Sequence, residues 1–530
     1  MRPSLARPLV GALLLLLLAA CHSSQVPKHL MEDPQVLRRG NGPEPDSLDP
    51  QLARTDSAAQ ILRDCYEGLI SLDHEARPAP GVAASWDVSA DGLLYTFHLR
   101  SDARWSNGDA VVAQDFIASW QRLINPSTGA PYAQALRPIV GVAEILAGQK
   151  PLEALGVDAP DGQTVRVHLV RPVAYFLGLL AHWSTYPTYH GQVPARVGGV
   201  ISNGAYVPTA WVVGSEVTAQ RNAYYWRPPA ASFKTVRYVH IVDANDEYAR
   251  FRGGGLDSTY TLPLQPITHL EATPEATVHR APQWGLYYYG FNLDKAPFKD
   301  AKGLRQALAM TVDRERLVSS VTGLGEMPAY TWVPPRMASY EAQHFAWESL
   351  PPAERLARAR ALYSQAGYSA SQPLKIELNF PSGSTHERIA LAVAAMWKEA
   401  LGVDVTLGGE EFKSLLQRIT RGDTMMFRAS WIADYNDPWT FAEVMSSGFG
   451  INLPKYSNAA YDTFLESANR SVSSPDRVAA LQSAERQLLE DAPIIPLYYY
   501  VNKHLVSRHI RGWYDNGMNV TYTKDLEWQP

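Results

Sequence analysis

Cysteine is nearly absent. The 530 residues carry only Cys21 and Cys65, so a single Cys21–Cys65 bridge is the most this chain can form and its stability must come chiefly from buried apolar surface. Basic runs are missing too: 48 lysines and arginines stand scattered against 53 acidic residues, which excludes a surface that tracks nucleic-acid phosphates. The marks of hydrolytic and metal chemistry also fail. His386-Glu387 begins like a zinc-protease helix, but Ala390 occupies the place where a second histidine must return to the metal. There is no Gly-x-Ser-x-Gly turn, no cysteine pair at metal spacing, and the 14 histidines are dispersed. The chain reads as a protein that is not an enzyme and takes neither cofactor nor metal.

What is present starts at the amino terminus. Arg2 and Arg7 precede an apolar run from Leu9 to Ala20, shorter than the ~20 residues a bilayer span needs, and small residues lead into Cys21. Residues 1–20 read as a removable secretory signal. His22 to Gln35 is polar, with Pro27 and Pro34, so residues 21–35 suit a tether. Beyond it, 46% apolar and 10% aromatic residues supply large cores, and this length divides into more than one folding unit.

Hydrophobic periodicity gives a mixed α+β chain. Helical faces are expected over 58–70, 115–123, 305–310 and 314–321, the last with Asp313 as N-cap. Strands are expected over 93–99, 110–112, 163–170, 217–220, 236–242 and 286–293, and Asn107-Gly108 favours a tight connection with positive φ. Residues 322–352, rich in Pro, Tyr and Met, read as a long surface connection. Further on, the order is βαβαβ: strands over 374–380, 403–407 and 425–431, helices from His386 and Phe412, and Gly402 as a left-handed cap. Such a unit makes a parallel sheet, and ligands collect beyond the carboxyl ends of its strands. Asp434 lies there, in Trp431-Ile432-Ala433-Asp434-Tyr435-Asn436-Asp437-Pro438, where it either grips an ammonium group or caps the turn before the proline.

Several short segments carry a resemblance: Ser47-Leu48-Asp49-Pro50, Tyr66-Glu67-Gly68-Leu69, Pro80-Gly81-Val82-Ala83, Asn203-Gly204-Ala205-Tyr206, Asn292 with Pro297-Phe298, and Ala433-Asp434-Tyr435-Asn436. In this order, behind such a signal, the chain resembles the peptide- and oligopeptide-binding lipoproteins that serve ABC importers. The resemblance implies a two-lobed, periplasmic-binding-protein-like α/β fold with an additional subdomain in the first lobe. Lobe I would comprise 36–67, 190–285 and 501–530, the inserted subdomain 68–189, and lobe II 286–500. It implies a lipid on Cys21, an extracytoplasmic monomer on a periplasmic or cell-surface membrane, and ABC permease and ATPase subunits as partners.

The resemblance also assigns a site for short peptides. Asp434 would pair with the peptide's α-ammonium, Ser430 and Ile432 flanking Trp431 would extend the sheet along its main chain, and Arg54-Thr55-Asp56 would pair from the other edge. Arg428 and His386 would be cations for its carboxyl end, and Tyr132, Tyr288, Phe412, Trp431 and Tyr500 would line the cleft. Gly285 and Ile432 stand where the similar proteins carry a bridging cysteine pair, so the lobes are not linked covalently here. The competing expectations are a dipeptide, a cell-wall peptide, a nickel or haem complex, or a chaperone or sensor adaptor with the same cleft.

Overall fold

The computed structural model describes residues 33–529 except 195, 228–232, 264–266, 272–274, 338–339 and 472–473, together with the side chains of all but 267, 268, 384, 412 and 413. The signal and Cys21 lie outside the described residues.

Alternating burial builds three larger sheets. The first runs in the order Val36–Gly40, Thr235–Val239, Glu216–Arg221, Tyr206–Val212. Val236 and Tyr238 turn inward while Thr235 and Arg237 stay half-buried, the period of two a one-sided sheet requires. The second, antiparallel sheet joins Ala83–Val88, Leu94–Leu99, Thr164–His168 and Val157–Asp161. It shares a core with the helix Ala113–Ile124, where Phe97, Val165, Val167, Phe116 and Trp120 are buried. Residues 110–112, expected as strand, make only an isolated bridge, Arg104 to Ala110, because the turn at Gly108, with φ +93°, leads straight into that helix.

The third sheet has six strands: Met327–Pro328, Ile494–Ser507, Ala276–Phe291, Met426–Ile432, Lys375–Pro381 and Asp404–Glu410. Its last three are the expected βαβαβ unit. Lys375–Pro381 pairs in parallel with both neighbours, the helices are Ser384–Leu401 and Phe412–Arg421, and Gly402 is left-handed at φ 79°, ψ 15°. Asp313 caps its helix by accepting from the Arg316 amide at 2.9 Å.

Two strands are far longer than the alternation over 286–293 suggested. Ala276–Phe291 pairs antiparallel with Ile494–Ser507 from Ala276↔Ser507 to Gly290↔Ile494, and Val506 reaches the first sheet through Ser258 and Arg39. The pairing breaks between Pro282↔Val501 and Leu286↔Tyr499. Pro282 has no amide proton to give, so the ladder bends where these strands pass between the two halves of the molecule.

Residues 322–352 are not a surface connection. Trp332, Val333, Met337, Phe345 and Trp347 are buried, and the carboxylate of Glu485 accepts from the amides of Trp332, Val333 and Gln343 and the Tyr340 hydroxyl. One buried acceptor thus satisfies the backbone donors that would otherwise force the segment to water.

Candidate functional site

A cleft of about 1640 Å³ lies between the halves, walled by Arg54, Asp56, Tyr132 and His182 on one side and by His386, Ser430 to Asp434 and Tyr500 on the other. Its second wall is set by the strand Met426–Ile432. Met426 and Phe427 pair with Leu378 and Asn379, but the next strand then veers away to end on Gly409 and Glu410. From Arg428 to Ile432 only one edge is paired, to Tyr289 through Gly285. Among the described residues the other edge meets no strand.

Asp434 follows directly. Its amide donates to the Thr440 hydroxyl at 3.2 Å, and no donor among the described residues reaches its carboxylate. The turn-capping role falls to Asp437, which accepts from the Trp439 amide at 2.9 Å and pairs with Arg477 at 2.6 Å. Burial pushes the Asp434 pKa from 3.8 up to about 7, and the nearby Glu443 and Asp56 carboxylates add to the rise. Asp56 stands on the facing wall, open to the cleft yet crowded by protein on its other sides, which raises its own pKa against the pull of Arg63. A lone carboxylate among carboxylates, in a space screened from bulk water, suits a cation that brings its own hydrogens.

The other expected site residues divide. Trp431 lines the cleft and its buried Nε1 has no acceptor among the described residues, while the Tyr132 ring lies 4.6 Å from that of His182, tilted by 56°. Arg428 is reached by neither Asp423 nor Glu410, which pair with Arg421 and Arg418. Its guanidinium lies 4.4 Å from the Tyr287 ring centre and donates to the Tyr500 hydroxyl at 2.6 Å, leaving Nε unpaired. Arg428 itself does not line the cleft; it stands behind Tyr500, which does, as a cation with no carboxylate partner among the described residues.

Three expectations are corrected by the geometry, and a fourth falls outside the described side chains. His386 is not a cation: burial first and the Arg428 charge second lower its pKa to about 4, so it offers a neutral ring, Nδ1 lying 3.2 Å from the Tyr287 hydroxyl. Tyr288 does not line the cleft, because it points to the opposite face of its strand and packs edge-on against Trp332 at 5.4 Å. Arg54-Thr55 is no free strand edge: both amides donate to Asp46 at 2.9 and 3.3 Å, and the Thr55 hydroxyl caps the helix Asp56–Cys65. Only the side chains of Arg54 and Asp56 in that stretch face the cleft. Phe412 opens its helix, but its side chain lies outside the described residues.

Three aromatics that sequence reading missed close one end. Tyr175 lies parallel to Tyr435 at 4.9 Å and to Trp439 at 5.9 Å. Tyr435 sits in the segment that drew attention to Asp434 and Trp439 directly follows it; Tyr175, 260 positions from Tyr435, has no local signal. Among the described residues no group of three or more His, Cys, Asp or Glu is placed to hold a metal, and no helix is long and apolar enough to cross a membrane.

Known proteins share this architecture. Residues 77–452 match the bacterial extracellular solute-binding proteins, family 5 Middle. The periplasmic oligopeptide-binding protein OppA of Escherichia coli is 37% identical over 94% of this chain and 93% of its own length. The probable deoxycholate-binding periplasmic protein YgiS of Escherichia coli is 36% identical over 96% of each. The solved structure of the Escherichia coli murein tripeptide binding protein MppA superimposes with a TM-score of 0.85 at 35% identity, covering 94% of this chain and 99% of that one. By sequence and by fold, this chain belongs to the family 5 extracellular solute-binding proteins, which hold a solute without transforming it.

Proposed function

We propose that this protein captures short peptides outside the cytoplasm and delivers them to the permease and ATPase subunits of an ABC importer, working as a monomer tethered by a lipid on Cys21. The observation that carries the reading is the Asp434 carboxylate, which faces the cleft with no donor among the described residues. An α-ammonium supplies up to three N–H groups and a full charge, relieving the desolvation that raises the Asp434 pKa. The open edge of Arg428 to Ile432 accepts the peptide main chain as an added strand, which gives affinity without reading side chains. Tyr500, backed by the Arg428 charge, receives its carboxyl end.

The likeness to OppA and MppA favours a peptide; the likeness to YgiS favours a sterol acid instead. Deoxycholate carries a carboxylate and no ammonium, so Asp434 and Glu443 would repel its charged end. Calorimetry on the mature protein with tri- to pentapeptides, their N-acetylated forms and deoxycholate separates these readings. Free peptides are expected to bind, acetylation to weaken binding by about a hundredfold, and deoxycholate to give no heat; equal binding of acetylated peptides removes Asp434 from the mechanism. Mass spectrometry of the protein from membranes is expected to find Cys21 acylated.

A further inference from the structure

The wall of the cleft opposite Asp434 carries a second group of polar atoms without partners. His182 is only 6% exposed and lines the cleft. Its Nδ1 lies 2.8 Å from the Ser184 hydroxyl, which can donate or accept, and accepts from the Ser184 amide at 3.3 Å; an amide can only donate, so the neutral ring carries its proton on Nε2 and the hydroxyl donates to Nδ1 as well. That Nε2–H finds no acceptor among the described residues. The ring cannot easily turn away, held 3.7 Å from Trp183 and 4.6 Å from Tyr132.

Arg63 belongs to the same group. Projecting from the helix Asp56–Cys65, its guanidinium lies 5.1 Å from the centre of the Trp183 ring and lines the cleft. Among the described residues no carboxylate forms an ion pair with it. Its field reaches His182, whose pKa burial and then Arg63 lower to about 3, so the ring stays a neutral donor beside a permanent cation. At the other end of this row, the Tyr132 hydroxyl feels Asp434 ahead of every other carboxylate. The group therefore borders the place where a peptide's first residue would sit.

We propose that Arg63 and His182 form the subsite for the first side chain of a bound peptide and select an acidic one, whose carboxylate accepts from the guanidinium and from Nε2–H. This rests on the reading that the α-ammonium sits at Asp434. A buried donor left without an acceptor is costly, and an apolar side chain offers none; a lysine at this position meets the Arg63 charge. A site built to hydrogen-bond one group rejects the analogue lacking it far more strongly than an apolar pocket does.

The test is calorimetry of the intact mature protein with Glu-Ala-Ala, Gln-Ala-Ala, Leu-Ala-Ala, Lys-Ala-Ala and Ala-Glu-Ala. Glu-Ala-Ala is expected to bind at least about tenfold tighter than the Leu and Lys peptides, with the Gln peptide between. Arg63→Met, and separately His182→Phe, which keeps an aromatic ring against Trp183 and Tyr132, should each shrink the gap between the Glu and Leu peptides to below about threefold. Leu or Lys peptides binding as tightly as Glu-Ala-Ala, a preference for Glu at the second position alone, or a gap that survives both substitutions overturns the subsite and leaves Asp434 untouched. No binding by any of the five overturns the α-ammonium reading, and the subsite falls with it.

Discussion

Tyr175 and Tyr435 lie ring on ring, 4.9 Å between centres and 4° between planes, although one precedes the helix Phe176–Leu180 and the other follows the strand Met426–Ile432. Trp439 extends the stack and the Arg477 guanidinium lies 5.8 Å from the Tyr175 ring. This contact joins the residue before the helix Phe176–Leu180 to the Asp434 wall, bridging the two sides of the cleft. A stacked pair contributes about 0.5–1.5 kcal/mol beyond its area. Tyr175→Ala is expected to raise the peptide dissociation rate about two- to twelvefold, read by stopped-flow displacement, with a smaller change in the association rate.

The Asp434 pKa sets a pH dependence. Its folded value near 7 lies above the ordinary 3.8, so the empty folded protein holds this proton more tightly than the unfolded chain does. Its contribution to stability is therefore full below about pH 4 and lost as the pH rises through about 7. Binding an ammonium reverses the shift and expels the proton. Calorimetry at pH 6.5 in buffers of different ionisation heat is expected to show proton release on binding, absent in Asp434→Asn, and wild-type affinity should rise between pH 6 and pH 7.5.

Arg428 pairs with no carboxylate among the described residues, and its charge reaches the cleft only past Tyr500, which lines it. Arg428→Met is expected to weaken a free tripeptide about ten- to a hundredfold and to leave its C-terminal amide nearly unchanged. Affinity measurements on the four combinations form a double-mutant cycle; equal losses for acid and amide would place the effect in packing against Tyr287.

Arg314 tests the scaffold. It is fully buried, donating through Nε to the Ala329 and Pro496 carbonyls and through Nη1 to those of Ala309 and Val312. Arg314→Met keeps the volume over Tyr330 but strands four acceptors. A destabilisation of about 3 kcal/mol or more is expected, seen as a fall in the urea midpoint; a shift under 1 kcal/mol would mean that water replaces the guanidinium.

Sequence made the βαβαβ unit legible because its signals are local: periods of two and 3.6, and Gly402 where a left-handed cap is needed. Asp434 could be singled out for the same reason. The long pairing of Ala276–Phe291 with Ile494–Ser507 could not, since its partners lie some 200 residues apart and neither strand marks the other. Residues 322–352 misled because proline and tyrosine suggest a surface loop, whereas the buried acceptor that makes their burial possible is Glu485, far along the chain. His386 shows a third kind of gap: its type was readable, but its charge depends on burial and on Arg428.

The unpaired strand edge from Arg428 to Ile432 carries a last consequence. On an outer face such a row of amides and carbonyls would recruit neighbouring chains into aggregates. Sunk at the bottom of a fissure, it is barred to anything bulky, so a folded protein cannot dock there while a slender extended one can. The geometry thus sorts guests by thickness before any side chain is read.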